Sequence, residues 1–252
     1  MRDQPGYLLE VNFDIPQELR QSYPYNLPVL RTLKTLKFHP SVTYIIGENG
    51  LGKSTLMEAI AVYLGFNPEG GSKNFNFNTY ASHSALHEHI RVAKSHRRIS
   101  DGFFLRGESF YNLASEIEGL DKGSSYGGKV IDSYGGISLH ELSHGESFWA
   151  LFMNRFSGSG IYLLDEPESA LSVQRQMAML SRIHQLVGKG AQFLIATHSP
   201  ILLAYPDSII YQLGTEGIEH KKYQETELFS ISKAFINDPD RMLSILLQQS
   251  DD

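Results

Sequence analysis

The chain of 252 residues contains no cysteine. That excludes disulfides, thiolate zinc sites and thiol nucleophiles, and it predicts a reducing compartment, the cytoplasm. No run approaches the roughly 18 apolar residues of a membrane span, so none is expected. Met1 to Gly6 shows no basic region followed by an apolar stretch, so no signal peptide is expected. Basic charge is not in excess either. Lys and Arg total 22 against 28 Asp and Glu, for a net charge of −6 and a pI near 5.9. This argues against non-specific nucleic-acid binding and leaves only a local basic patch open. What is present is ordinary for a globular chain: 41% hydrophobic and 20% charged residues. The length suits one large α/β domain or two small ones.

Periodicity predicts the order of elements. Val42–Ile46 is β-branched and aromatic, a buried strand. A glycine loop follows, and then Leu56, Met57, Ile60, Ala61 and Leu64 recur at helical spacing up to Gly65. Residues 66–79 and 119–136 lose periodicity and read as loop, including the repeated Ser-Tyr-Gly-Gly of Ser125–Gly128 and Ser133–Gly136. Between them, Ser84–Ala93 reads as a short helix, Gly102–Leu105 as an edge strand and Ser109–Ile117 as a helix. Ile161–Leu164, Ala191–Ala196 and Ser208–Leu213 are buried-strand candidates. Helices are expected at Ser143–Phe156, Glu225–Ile236 and Pro239–Leu247. Another is expected at Val173–Val187, with Val173, Met177, Leu180, Ile183 and Val187 as its apolar face. Such alternation predicts a mainly parallel sheet flanked by helices, with a single domain over 1–252, an irregular or helical lobe over 65–136 and C-terminal helices over 225–252.

Gly47-Glu48-Asn49-Gly50-Leu51-Gly52-Lys53-Ser54 matches G-x-x-x-x-G-K-[ST] between a strand and a helix. Glycines let backbone N–H groups turn toward phosphate oxygens, and the helix adds its positive end. Lys53 supplies a cation for the β- and γ-phosphates and Ser54 a hydroxyl for Mg2+; Thr55 belongs to the same ATP-binding set. Asp165 and Glu166 end the apolar strand 161–164, where ligands of parallel sheets bind. Asp165 is expected to hold Mg2+, and Glu166 to take a proton from the attacking water. Ser143 caps a helix in Leu142-Ser143-His144-Gly145-Glu146, and Gly145 leaves room for an anion at its N–H groups. His198 ends the strand 191–196, within Ala196-Thr197-His198-Ser199-Pro200.

In this order, these motifs resemble the P-loop NTPases of the ATP-binding-cassette (ABC) ATPase superfamily. Leu142–Glu146 looks like its signature sequence, with His144 and Glu146 in place of glycine and glutamine. Ser169–Ser172 looks like its D-loop and His198 like its switch histidine. The wording around the P-loop, with Met57-Glu58-Ala59-Ile60, the His-Gly-Glu of the signature and Thr-His-Ser-Pro, is similar to the soluble "AAA family" ATPases related to RecF and structural-maintenance-of-chromosomes heads. Phe103–Phe110 resembles a stretch of small bacterial ATPases of that group and lies where the Q-loop is expected. No glutamine is present there, and Glu108 is the expected substitute at Mg2+. The resemblance implies an ATP-dependent head-to-tail homodimer in which Ser143, Gly145 and Glu146 face the ATP on Lys53 of the partner. It implies a soluble Mg2+-dependent ATPase, with His198 and Glu166 catalytic, that drives a protein partner or a nucleic-acid process. The alternative is the nucleotide-binding subunit of an ABC transporter. A non-hydrolysing sensor is disfavoured by Glu166 and His198.

Ser54 and Leu142 are 88 positions apart without sustained heptads, which excludes a long coiled-coil arm. Tyr23 and Tyr25 stand at the distance of an adenine-stacking aromatic, although core packing serves either equally well. His83, His87 and His89 read as a solvated insertion rather than a metal site. The basic run Arg91, Lys94, Arg97 and Arg98 reads as a solvated face before a nucleic-acid contact.

Overall fold

The computed structural model describes residues 4–73, 84–107 and 142–247. Every residue of Val42–Ile46 is buried, as a strand covered on both faces must be. In chain order the N-terminal half holds β1 (Leu8–Phe13), α1 (Pro28–Thr32), β2 (Thr35–Lys37), β3 (Val42–Ile46), α2 (Lys53–Tyr63), β4 (Ile90–Lys94) and β5 (Asp101–Arg106). The remainder holds α3 (His144–Arg155), β6 (Gly160–Asp165), α4 (Val173–Gly188), β7 (Gln192–Ala196), β8 (Ile209–Gly214), β9 (Gly217–Lys221), α5 (Glu227–Asn237) and α6 (Pro239–Leu246).

Six strands form the main sheet in the order β5-β6-β7-β3-β8-β9. The first five run parallel and β9 returns antiparallel to β8. The α/β class and mainly parallel sheet are as the sequence predicts. Alternate residues of each strand enter opposite cores. On one face Phe103, Tyr162 and Leu164 meet Phe148 and Phe152 of α3 and Met179 and Ile183 of α4. Phe156 stacks on Tyr162 there, rings 4.4 Å apart and nearly parallel. On the other face Phe104, Leu163 and Ile45 meet Leu56, Met57 and Ile60 of α2. That second core is closed by an antiparallel sheet, β2-β1-β4, through Leu36, Leu8, Val11 and Ile90.

Three expectations change. Ser84–Ala93 is not a helix: a single 3-10 turn at Ala85–His89 leads into β4, because Ile90 and Val92 alternate at strand period and find β1 as partner. On α4 the buried residues are Met179, Ile183 and Leu186, while Val173 and Met177 are exposed; the apolar face is turned by about one position. Finally, part of the span 65–136 joins the sheets: β4 lies in the antiparallel sheet, and β5, the edge strand expected at Gly102–Leu105, borders the main one. The expected helix Ser109–Ile117 and the Ser-Tyr-Gly-Gly repeats lie outside the described residues.

Candidate active site

β3 delivers the chain to the phosphate loop and α2 starts at Lys53, so six residues, Gly47–Gly52, make the turn. Gly50 and Gly52 take φ of 81° and 101°, conformations that an L side chain resists. The Lys53 side chain is buried, with Nζ donating to the carbonyls of Gly47 at 2.8 Å and Glu48 at 3.0 Å. Burial lowers the pKa of its amine, opposed by the carboxylates of Glu166, Asp165 and Glu168. A cavity of about 430 Å³ opens over this cradle, lined by Tyr23, Leu27, Asn49, Gly50, Gly52, Lys53, Ser54, Thr55 and Glu166. Tyr23 is exposed at its mouth, its hydroxyl 3.5 Å from Thr55 Oγ1. Tyr25 is buried instead, with its ring edge-on to His89. The two tyrosines, equivalent in sequence, are thus separated by the fold.

Asp165 closes β6, buried at every position. Its Oδ1 accepts from Ser54 Oγ at 3.3 Å. Two hard oxygen donors beside a phosphate cradle fit Mg2+, which prefers oxygen from few protein groups plus the nucleotide phosphates. Glu108 lies outside the described residues. Among the described residues of the same stretch, Arg106 reaches Asp165, its Nε 3.9 Å from Oδ2. Its Nη1 donates to Glu58 Oε2 and to the Pro68 carbonyl, both at 3.2 Å.

Glu166 follows at φ 52°, in the left-handed region, its N–H donating to the Ala196 carbonyl at 2.9 Å. That turn lifts its side chain out of the sheet toward His198, whose Nε2 is 3.4 Å from Glu166 Oε1. His198 is fixed from behind, its backbone N–H donating to Glu168 Oε1. Burial raises the pKa of Glu168, with the hydrogen bonds from His198 and Thr197 acting against it. Sequence reading missed Glu168, Arg106 and Glu58. The available signal was a set of charges beside otherwise apolar elements.

Ser143 caps α3, and the Glu146 carboxylate accepts both its N–H, at 3.0 Å, and its hydroxyl. That hydroxyl bond lowers the pKa of Glu146 first, and the backbone bond adds to it. Gly145 also answers a packing requirement. A Cβ there would stand 2.5 Å from the Ala170 carbonyl, so the glycine lets α3 dock on the turn Pro167–Ala170. Ser143 and Glu146 are exposed. None of residues 142–146 lines the cavity over Lys53.

Arg97 of the basic run is an internal clamp, bonded to the carbonyls of Pro5 and Gly190 and the Tyr7 hydroxyl and stacked on the Tyr7 ring. Lys94 lies over Tyr63. His89 packs on Tyr25 and His87 sits within reach of the Ser84 carbonyl, whereas His83 lies outside the described residues.

Comparison with known proteins bears on the fold and on the class of activity. The AAA domain family matches residues 26–136, less than half of the chain. The "Hemin import ATP-binding protein HmuV" of Idiomarina loihiensis is 29% identical over 201 residues, 74% of this chain and 76% of its own length. The "Cytochrome c biogenesis ATP-binding export protein CcmA" of Rhodopseudomonas palustris is 29% identical over 170 residues, 62% of this chain and 78% of its own. Among solved structures, cbiO1 from Clostridium perfringens, part of the ABC transporter complex cbiONQ, superposes with a TM-score of 0.52 at 17% identity, covering 96% of this chain and 99% of that one. The fold is that of an ABC-type P-loop ATPase. The chain is an ATPase, and its cofactors are ATP and Mg2+.

Proposed function

We propose that two copies of this chain bind head to tail and hydrolyse ATP at two composite sites. The observation that carries this reading is the separation of parts: the cavity over Lys53 contains no signature residue, while the capped N-terminus of α3 stands exposed. A helix N-terminus presents N–H groups and a positive dipole end, suited to a γ-phosphate held elsewhere. Ser143, Gly145 and Glu146 of one copy then meet the ATP held by Gly47–Thr55 of the other, with Tyr23 under the adenine.

In each site Ser54 and Asp165 hold Mg2+, which neutralises phosphate charge when bound. Glu166 accepts a proton from water as its oxygen attacks the γ-phosphorus. The bond to the bridging oxygen breaks, releasing ADP and phosphate. His198 steadies the γ-phosphate side. Product release then frees the dimer to act on a protein partner. The internal bonds of Arg97 weaken the case for nucleic acid. A cytoplasmic location belongs to this reading; among the described residues no helix is long and apolar enough to cross a membrane.

A second reading, a nucleotide-binding subunit of an ABC transporter, is favoured by the relatives' import and export roles. Native copurification separates the two: recovery of an integral membrane protein supports the second, and a soluble partner the first.

Shared sites make a sharp prediction. Lys53→Ala and Ser143→Arg are each expected to be inactive alone, the latter because a bulky cation replaces a small cap at the partner's phosphate. Mixed in equal amounts, they can place both defects on one site and leave the other whole. Phosphate release should therefore reappear on mixing, with at most one working site per dimer. Full activity of Ser143→Arg by itself would remove the composite site from consideration.

A further inference from the structure

Arg106 ends β5 with its side chain only 16% exposed, and ATP chemistry as described above makes no use of it. β5 and β6 pair in register, Leu105 with Leu164 and Arg106 with Asp165. Registered neighbours in a parallel pair leave the sheet on the same face. Leu105 and Leu164 both enter the α3 core, and Phe104 and Leu163 both enter the α2 core. Arg106 and Asp165 therefore emerge together on the α2 side, beside Ser54 and Glu58.

Asp165 is flanked by a hydroxyl donor and by a guanidinium at ion-pair distance. Ser54 Oγ reaches Oδ1 at 3.3 Å and Arg106 Nε approaches Oδ2 at 3.9 Å. The Asp165 side chain is 6% exposed, and among the described residues the Arg106 guanidinium and the Lys53 ammonium both act on its carboxylate. The same guanidinium repels any second cation brought to Asp165, because charges a few ångströms apart in a dry site interact strongly. Glu58 moderates the repulsion, taking Arg106 Nη1 at 3.2 Å while its other oxygen accepts the Ser84 N–H at 3.0 Å.

We propose that Arg106 is a positioning residue that sets the metal affinity of the site: its buried guanidinium beside Asp165 holds bare divalent metal out until nucleotide phosphates add their negative charge. The proposal rests on Ser54 and Asp165 as the metal-holding pair. It gives the site an order, metal with nucleotide rather than metal first.

The test is calorimetric titration of Mn2+ into the nucleotide-free protein. Arg106→Gln, which keeps donors and removes charge, should bind Mn2+ about tenfold tighter than the wild type, or more. Arg106→Lys retains the charge and should stay within about threefold of the wild type. Glu58→Gln removes one neutralising charge from the guanidinium and should weaken Mn2+ about threefold or more. Unchanged or weaker binding by Arg106→Gln overturns the proposal. If that variant does not fold, the Lys and Glu58→Gln variants decide: unchanged or tighter binding by Glu58→Gln also overturns it. Adding Asp165→Asn to Arg106→Gln should abolish the gained binding. Persistence of Mn2+ binding in that double variant would show instead that the metal pair itself was misassigned.

Discussion

Glu166→Gln should bind ATP as the wild type does and turn it over about 10²–10⁴ times more slowly, the usual worth of a positioned general base. The amide preserves size and can still meet His198, which lies 3.4 Å from the carboxylate it replaces. What it loses is the ability to accept the proton that the attacking water must shed. Because dissociation follows hydrolysis in the composite-site scheme, the variant should also accumulate as an ATP-bound dimer. Calorimetry would measure the affinity, phosphate release the rate, and size exclusion in Mg-ATP the assembly. A rate near wild type would move the base elsewhere, and a monomer in Mg-ATP would count against the shared site.

Lys53→Ala should lose ATP and ADP affinity by about 10²-fold or more. Truncating one partner of a desolvated charge pair costs about 2–5 kcal/mol, and each 1.4 kcal/mol is a factor of ten. The geometry places this residue at the strong end of that range. Its side chain is 4% exposed, and two loop carbonyls hold its ammonium over the cradle. Among the described residues, no other side chain lining that cavity carries a positive charge. Titration with each nucleotide gives the answer, with thermal melting of the nucleotide-free variant as the folding control. Unchanged affinity would withdraw the phosphate assignment of the whole loop.

The parts legible in advance share one property: their meaning is local. β3, β6 and β7 are runs of mostly apolar residues, because a strand covered on both faces has no solvent-facing side. The phosphate loop announces itself in eight consecutive residues, and Asp165 by its place at the end of such a run. The parts that escaped draw their meaning from a distant partner. β1 is only half-buried and is built by pairing with β2 and β4, up to Lys94 in the chain. β9 contains a single apolar side chain, Ile218, and exists as the return arm of a hairpin on β8. In the site the same distinction applies. Glu58, Arg106 and Glu168 look like ordinary surface charges until the fold brings Arg106 against Asp165, Glu58 against Arg106 and Glu168 against His198. Gly145 was legible as a required glycine, but the carbonyl that requires it, that of Ala170, is supplied by tertiary packing.

The backbone at Glu166 has a cost that the rest of the sheet does not share. Its φ of 52° and ψ of 53° suit glycine or asparagine, and for a long side chain they cost on the order of 1–3 kcal/mol. A protein engineered for heat resistance alone would place one of those residues here and gain stability. The carboxylate at that position means the enzyme sits below its attainable melting temperature, and thermostabilisation of this chain has to be sought away from the end of β6.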